Sequence, residues 1–133
     1  MTPKNLGSKA QYGNGKDDIV IRKYGAGIKG GRILDVDGFA PDTIRAGHVV
    51  IRGKDTDGND VFKPLNVSEG NYVSLPQNYE YAGVVVASVP TAEPLVSIMY
   101  DGEVNDIASP YPITTALKTA LRTALPKLAF QHD

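Results

Sequence analysis

Residues 47–67 read GHVVIRGKDTDGNDVFKPLNV, two apolar stretches on either side of a charged segment. Val, Ile and Phe favour β-strands, whereas Asp, Asn and Gly favour tight turns. We therefore predict a β-hairpin over these residues, with a strong strand over His48–Arg52 and a charged tip. This hairpin indicates a body built mainly from antiparallel strands.

Strand signals continue on both sides of the hairpin. YEYAGVVVASV at 79–89 is apolar throughout its centre, which is typical of a buried strand. TAEPLVSIMYDGEVN at 91–105 predicts a strand over Leu95–Tyr100, a turn at Asp101-Gly102 and a continuation to Val104. Two further strands are predicted upstream, over Ile19–Lys23 and Arg32–Val36.

The segment SPYPITTALKTALRTALPKLAF at 109–130 carries a helical pattern. Its apolar residues recur every three or four positions, and Thr, Lys and Arg occupy the opposite face. Pro112 and Thr114 suit the start of the helix, Pro126 ends it, and Lys127–Phe130 can add a short edge strand. The apolar face consists of Ile113, Leu117, Ala120, Leu121, Ala124 and Leu125.

Together these elements predict an α+β fold that is mainly β. We expect a small antiparallel sheet or barrel-like body with one C-terminal helix. Residues 1–18 are polar and contain several glycines, and we predict that they form an extended basic arm. Residues 19–133 are predicted to form a single domain, because a chain of 133 residues is long enough to bury one core.

The chain contains no cysteine, which excludes disulfides, cysteine nucleophiles and cysteine-based metal sites. No apolar stretch approaches the ~20 residues of a membrane-spanning helix. The first residues also lack the apolar centre of a signal peptide. We therefore expect synthesis in a reducing cytoplasm and no membrane partner.

Charge is strongly segregated along the chain, although its net charge is only −1. Residues 1–34 carry seven basic and two acidic groups, a net charge of +5. Residues 35–106 carry four basic and twelve acidic groups, a net charge of −8. A basic arm on an acidic body is typical of a segment that binds an acidic partner, and a solvated tail is the alternative. Nucleic acid is not expected, because the body would repel phosphates and Tyr12 and Tyr24 are the arm region's only aromatic residues.

Residues 25–30, GAGIKG, match the G-x-G-x-x-G pattern of dinucleotide-binding proteins. In those proteins the glycines follow a buried strand and open a helix whose N-terminus holds the pyrophosphate. The following GGRILDVDGFAPD has no helical periodicity. We therefore interpret the match as a wide turn between two strands, with glycine supplying a positive φ, and we predict no cofactor.

The segment DTDGND at 55–60 places oxygen-bearing side chains at alternate positions, as an EF-hand calcium loop does. However, Gly58 stands at the fourth loop position instead of the sixth, the twelfth position is Asn66 instead of Glu, and no helices flank the segment. We therefore predict a hairpin tip and no metal site, with a weak surface cation as the alternative.

Asp101, Glu103 and Asp106 are candidate acid–base carboxylates, and His48 and His132 are the two histidines. Acid–base catalysis needs such groups in a cleft that shifts their pKa values apart. The histidines lack the spacing of a metal site, and no serine stands in a G-x-S-x-G motif. We therefore do not expect an enzyme.

Six segments that span nearly the whole chain have a characteristic order. They are KNLGSKAQYGNGKDDIVIRKYGAGIKGGRILDV (4–36), IRAGHVVI (44–51), YAGVVVAS (81–88), PLVSIMYDGEVN (94–105), PYPITTALKTAL (110–121) and LPKLAF (125–130). In this order the chain resembles the small head-decoration, or head-fibre, proteins of tailed bacteriophages, particularly those of gut Bacteroides phages. The second half is also similar in layout to the lambdoid capsid-decoration proteins.

The resemblance implies a structural virion protein on the outer surface of an assembled capsid, which it stabilises or decorates as a homotrimer. The implied partners are the major capsid protein and, in some cases, a head fibre. An N-terminal arm would contact the shell. On this sequence the candidate capsid contacts are Lys4, Leu6, Lys9, Tyr12 and Lys16.

Two other functional classes stay open. A glycan-binding adhesion module, or the base of a head fibre, would be favoured by exposed side chains at Tyr72, Tyr79 and Tyr81, and the alternative for these residues is packing. A small hydrolase would need a pocket that joins Asp101, Glu103 or His48.

Overall fold

The computed structural model describes residues 17–132, which contain two helices and twelve strands. The helices are α1 (Asp17–Val20) and α2 (Thr115–Ala124). The strands are β1 (Ile21–Gly27), β2 (Arg32–Ile33), β3 (Thr43–Ile44), β4 (Val49–Lys54), β5 (Asp60–Pro64), β6 (Val67–Ser68), β7 (Asn71–Tyr72), β8 (Glu80–Val85), β9 (Val89–Pro90), β10 (Leu95–Val96), β11 (Ile98–Val104) and β12 (Leu128–Phe130).

A six-stranded sheet forms the centre of the fold, with strand order β1-β11-β8-β4-β5 and β12 paired with β11. All of these pairs are antiparallel except β11–β12, which is parallel. Three two-stranded sheets, β2–β10, β3–β9 and β6–β7, surround it. The prediction of a mainly β, antiparallel body with a C-terminal helix is therefore confirmed. Of the two expected forms, a sheet and a barrel-like body, the structure shows the sheet.

Both faces of the central sheet are buried at β4 and β8, which explains why these two strands are apolar at consecutive positions. Val50 packs on one face in a cluster with residues of β8, β10 and β11 and with Ile44 of β3. Its neighbour Val49 faces the other side and packs with Leu65 and with Leu121 of α2. The apolar residues of β4 and β8 therefore contribute to the hydrophobic clusters on both faces of the sheet.

The predicted hairpin is confirmed. Strands β4 and β5 pair from Val50↔Pro64 to Lys54↔Asp60. At the tip, the Asp55 carboxylate accepts hydrogen bonds from the backbone N–H groups of Asp57 and Asn59, both at 2.9 Å. This is an Asp-centred turn, and it holds the tip from within.

The predicted helix is also confirmed, as α2. Thr114 is its N-cap, and the Thr114 hydroxyl accepts a hydrogen bond from the Leu117 N–H at 3.2 Å. Leu121 is fully buried, and Pro126 follows the last turn. The expected edge strand at Lys127–Phe130 forms as β12 and pairs in parallel with β11.

The turn predicted at Asp101-Gly102 is wrong, because β11 runs straight through these residues. Gly102 pairs with Tyr24 of β1 on one side and with Leu128 of β12 on the other. A Cβ at Gly102 would lie 2.7 Å from the Met99 sulfur, and φ is +152°. Glycine is required here by close approach inside a sheet, not by a change of chain direction.

The wide turn predicted across the glycine segment is narrower than expected. Gly25 and Gly27 belong to β1, and positive φ is confined to Gly30 and Gly31. A Cβ at Gly25 would lie 2.7 Å from the Asp101 carbonyl oxygen, so that glycine permits close strand contact. A two-residue strand follows the segment, where a nucleotide-binding motif would need a helix.

The bounds of two other strands also differ from expectation. Ile19 and Val20 belong to α1, so the strand predicted over Ile19–Lys23 begins at Ile21. The strand predicted over Arg32–Val36 ends at Ile33, because the chain then crosses to β5, where the Asp35 N–H donates to the Phe62 carbonyl oxygen at 2.8 Å.

Candidate functional site

The five candidate capsid contacts, Lys4, Leu6, Lys9, Tyr12 and Lys16, lie outside the described residues. The described chain begins at Asp17 in α1 and passes directly into β1. Because β1 is an outer strand of the central sheet, the predicted arm joins the body at an edge of that sheet.

This edge continues beyond the central sheet as a long two-stranded ribbon. The β1–β11 ladder begins at Ile21↔Val104 and reaches Gly27↔Met99. After the glycine segment the same two stretches of chain pair again as β2 and β10, with Ile33 opposite Leu95. We call β1, β11, β2 and β10 together the edge ribbon.

Exposed large hydrophobic side chains concentrate on the edge ribbon. Soluble proteins usually scatter such residues singly, and a concentration of them marks an interaction surface. Every one recorded in the described part of the chain lies on the edge ribbon or within three residues of its α1 end. They are Ile19, Tyr24, Ile33, Leu95, Tyr100 and Ile107.

Two of the candidate carboxylates, Asp101 and Glu103, also belong to the edge ribbon. Lys23 lies directly opposite Glu103 in the β1–β11 ladder. Asp101 packs against Gly25. The Asp101 carboxylate therefore contacts β1 and Glu103 is in register with it, and this arrangement favours a structural role.

The third candidate carboxylate, Asp106, joins α2 and the last described residues to the ribbon. Its Oδ2 lies 2.6 Å from the Lys118 Nζ, and its Oδ1 lies 3.0 Å from the His132 Nδ1. The side chain is 7% exposed. The hydrogen bond from Lys118, with a smaller contribution from His132, holds the pKa of Asp106 below its usual value.

His48 is buried beside an aromatic cluster. Its Nε2 donates to the Leu65 carbonyl oxygen at 2.8 Å, and its ring makes edge-to-face contacts with Phe39, Tyr72 and Tyr111. Burial lowers the pKa of His48 to about 4, although the hydrogen bond to Leu65 opposes the shift. The ring is therefore neutral near pH 7 and acts in packing.

The three tyrosines considered for glycan binding are half-buried and pack against the apolar cluster beneath α2. The Tyr72 hydroxyl accepts a hydrogen bond from the Val49 N–H at 3.2 Å, and burial raises the pKa of Tyr72 far above its usual value. The Tyr79 ring lies against the backbone at Gly53. These contacts favour the packing interpretation.

Three shallow depressions on the described surface have volumes of about 310, 450 and 510 Å³. Asp101, Glu103 and His48 line none of the three. Across residues 17–132, no three His, Asp or Glu side chains are grouped closely enough to hold a metal ion. Within the same range, no helix is both long and apolar enough to cross a membrane.

Sequence reasoning missed the edge ribbon as a surface. Ile33 and Leu95 stand in apolar sequence, RIL and PLV, which does not by itself distinguish an exposed side chain from a buried one. The alternation of exposed Ile33 with buried Leu34, and of exposed Leu95 with buried Val96, is the available signal. Two-residue strands are too short for that alternation to be recognised from sequence.

Comparisons of the chain with protein-family models, curated proteins and solved structures found no match.

Proposed function

We propose that this chain is a structural virion protein that binds the outside of an assembled phage capsid and stabilises or decorates the shell. Its proposed partner is the major capsid protein. The observation that carries the proposal is the location of its exposed apolar side chains. They concentrate on the edge ribbon, and the basic N-terminal segment joins the body at one end of that ribbon.

A surface of this kind suits attachment to another protein. The residues that precede β1 supply lysines for an acidic groove and Leu6 and Tyr12 as apolar anchors. A protein that binds only the assembled shell stabilises it by its free energy of binding. Many copies bound together reinforce one another, even where each contact is weak.

The arrangement of the polar residues supports a binding role over a catalytic one. Asp101 contacts β1, Glu103 lies opposite Lys23 in the β1–β11 ladder, Asp106 is held by Lys118 and His132, and His48 is packed among aromatic rings. Glycan binding through Tyr72, Tyr79 and Tyr81 is disfavoured by their packing.

The proposal is tested by imaging virions that carry or lack this protein. We expect added density on the outer capsid surface when the protein is present, and capsids that resist heat better than undecorated ones. Capsids incubated with an excess of pure protein that gain neither density nor heat resistance would contradict the proposal.

We further propose that three copies associate on the shell. Closed cyclic symmetry would bury the exposed apolar residues of the edge ribbon without open-ended growth. Reconstruction of decorated capsids should show three contacting copies at each position. Light scattering of the pure protein gives its oligomeric state without the shell, for comparison with the state on the capsid, because trimerisation can depend on the shell. Solitary copies without mutual contact on the shell would overturn the prediction.

A further inference from the structure

The far end of the edge ribbon, away from α1, has the opposite charge from the N-terminal segment. We call residues 33–44 and 89–96 the acidic end. They contain four acidic residues and no Lys, Arg or His. All four acidic side chains are exposed, and they are Asp35, Asp37, Asp42 and Glu93.

An exposed apolar pair lies among these carboxylates. Ile33 and Leu95 are directly opposite each other in the β2–β10 ladder, and they are 73% and 58% exposed. Residues in this relation are neighbours on one face of a ribbon. Their chain neighbours Leu34 and Val96 are buried in the core, which fixes the ribbon beneath the pair.

Backbone hydrogen bonds hold the acidic residues around the pair. The Leu34 N–H donates to the Pro94 carbonyl oxygen at 2.9 Å, so Asp35 and Glu93 flank Ile33 and Leu95. The Thr91 N–H donates to the Asp42 carbonyl oxygen, also at 2.9 Å. The acidic end is therefore one surface assembled from two stretches of chain.

None of the four carboxylates forms an ion pair with another residue in the range 17–132. The neighbouring Arg32 is engaged elsewhere. Its guanidinium donates to the Gly31 carbonyl oxygen at 2.7 Å and lies 5.4 Å from the centre of the Phe62 ring. The acidic end thus presents negative charge around an apolar centre.

We propose that the acidic end binds residues 1–16, the segment that precedes α1, of a second copy of this chain. That segment carries the complementary chemistry, with Lys4, Lys9 and Lys16 to meet the carboxylates and Leu6 and Tyr12 to cover the apolar pair. Complementary charge of this kind fixes the choice of partner and its register. Copies of the chain would then associate head to tail.

Binding to a second copy is favoured over binding within one copy. The N-terminal segment joins the body at the Ile21 end of the edge ribbon, whereas the acidic end lies beyond Gly27. To reach the acidic end of its own copy, the segment would have to reverse direction and pass the exposed Arg22 and Lys23. These cations repel its lysines.

This inference stands apart from attachment to a capsid. It concerns free copies of the protein, and it predicts that a shell and a second copy compete for the same basic segment. The charge variant Asp35→Asn, Asp37→Asn and Glu93→Gln leaves every exposed apolar residue of the edge ribbon in place, so it should lose self-association and keep its occupancy on capsids. The two proposals can fail separately.

The test is sedimentation of the full-length protein over a range of concentrations, at about 0.01 M and about 0.15 M salt. We expect association that strengthens with concentration and weakens with salt. Two variants should weaken it about tenfold or more, the equivalent of about 1.4 kcal/mol. One is the double variant Ile33→Ser with Leu95→Ser, and the other combines Asp35→Asn, Asp37→Asn and Glu93→Gln.

Ile107→Ser is the matched control, because Ile107 is 73% exposed, as Ile33 is, and lies near the opposite end of the edge ribbon. It should leave association unchanged. A synthetic peptide of residues 1–16 should compete with association of the full-length protein, whereas a peptide with its three lysines changed to glutamate should not. A protein that stays monomeric at every concentration, or an acidic-end variant that associates as the wild type does, would overturn the inference.

Discussion

At the scale of single residues, the buried ring of His48 makes stability depend on pH. Its pKa is about 4 in the folded protein and 6.5 in the unfolded chain, so below pH 6.5 the unfolded chain binds more protons. The contribution of the neutral ring to the free energy of unfolding is complete above pH 6.5. It declines as the pH falls and is lost below about pH 4.

We therefore expect the free energy of unfolding to fall by about 2 kcal/mol between pH 7 and pH 5. Chemical denaturation at both pH values measures this change. Asp106 contributes little in this window, because the hydrogen bond from Lys118 holds its pKa below the usual value of 3.8. His48→Gln should remove the dependence, and His132→Gln should retain it. An equal change in the free energy of unfolding between the two pH values in wild type, His48→Gln and His132→Gln would show that His48 is not the titrating group.

Gly102 offers a second test at this scale. A Cβ there would meet the Met99 sulfur at 2.7 Å and the Lys23 carbonyl oxygen, whereas a Cβ at Gly58 would meet nothing within 4 Å. Both glycines have positive φ. Gly58→Ala should therefore cost about 1–2 kcal/mol from backbone strain alone. Gly102→Ala should cost about 1–3 kcal/mol more, because overpacking adds to the strain. Equal losses in urea denaturation would contradict the contact at Gly102.

At the scale of elements, the hairpin tip distinguishes an internal turn from a calcium loop. The Asp57 side chain forms no hydrogen bond or ion pair within residues 17–132, whereas the Asp55 carboxylate accepts two backbone hydrogen bonds. Asp57→Asn should change the stability by less than about 0.5 kcal/mol. Asp55→Ala should cost about 1 kcal/mol, because the N–H groups of Asp57 and Asn59 lose the carboxylate that accepts from both.

Both variants are compared by thermal unfolding with calcium and with a chelator, and by occupancy on capsids. A calcium-dependent loss in Asp57→Asn would reveal a metal site at residues 55–60. Unchanged stability of Asp55→Ala would instead show that the turn does not depend on its carboxylate.

Local elements could be predicted from the sequence, and long-range pairing could not. The residues that determine the β4–β5 hairpin and α2 each lie within a stretch of about 20 residues. Turn-forming residues indicate the hairpin, and apolar periodicity indicates α2. The pairing of Gly102 with both β1 and β12 depends on residues far away in the chain, so Asp101-Gly102 resembled a turn.

The same limit applies to the candidate site. The exposed pair of Ile33 and Leu95 depends on which side of a two-residue strand faces the core. The ion pairs of Asp106 depend on the position of α2 and of the last described residues. The segregation of charge along the chain could be read directly from the sequence, because it does not depend on the fold.

At the scale of the whole molecule, we expect the N-terminal segment to be separable from the body. Residues 1–18 contain Leu6 as their only large aliphatic residue after Met1, and ordering a backbone costs about 1–2 kcal/mol per residue. Deleting residues 1–18 should therefore preserve cooperative thermal unfolding and abolish attachment to capsids. Binding is measured by co-sedimentation with capsids that lack the protein.

Changing Lys4, Lys9 and Lys16 to glutamate in the full-length chain should weaken attachment, and the difference from wild type should shrink as salt rises. A matched change of the exposed Arg122 and Lys127 to glutamate, away from the segment, should not alter attachment, because neither side chain forms an ion pair within residues 17–132. A truncated protein that still decorates capsids at full occupancy would place the contact on the body.

The position of β12 has a mechanical consequence. Ile21 of β1 and Phe130 of β12 both pair with Val104, so the chain enters and leaves the central sheet on either side of one residue. The two points lie about 10 Å apart, two strand spacings. A pulling force applied between residues 17 and 132 would act across these strands rather than along them. Tension should therefore separate β1 and β12 from β11 one residue pair at a time and at low force. A force applied at residue 17 alone would instead be transmitted to the body as a whole.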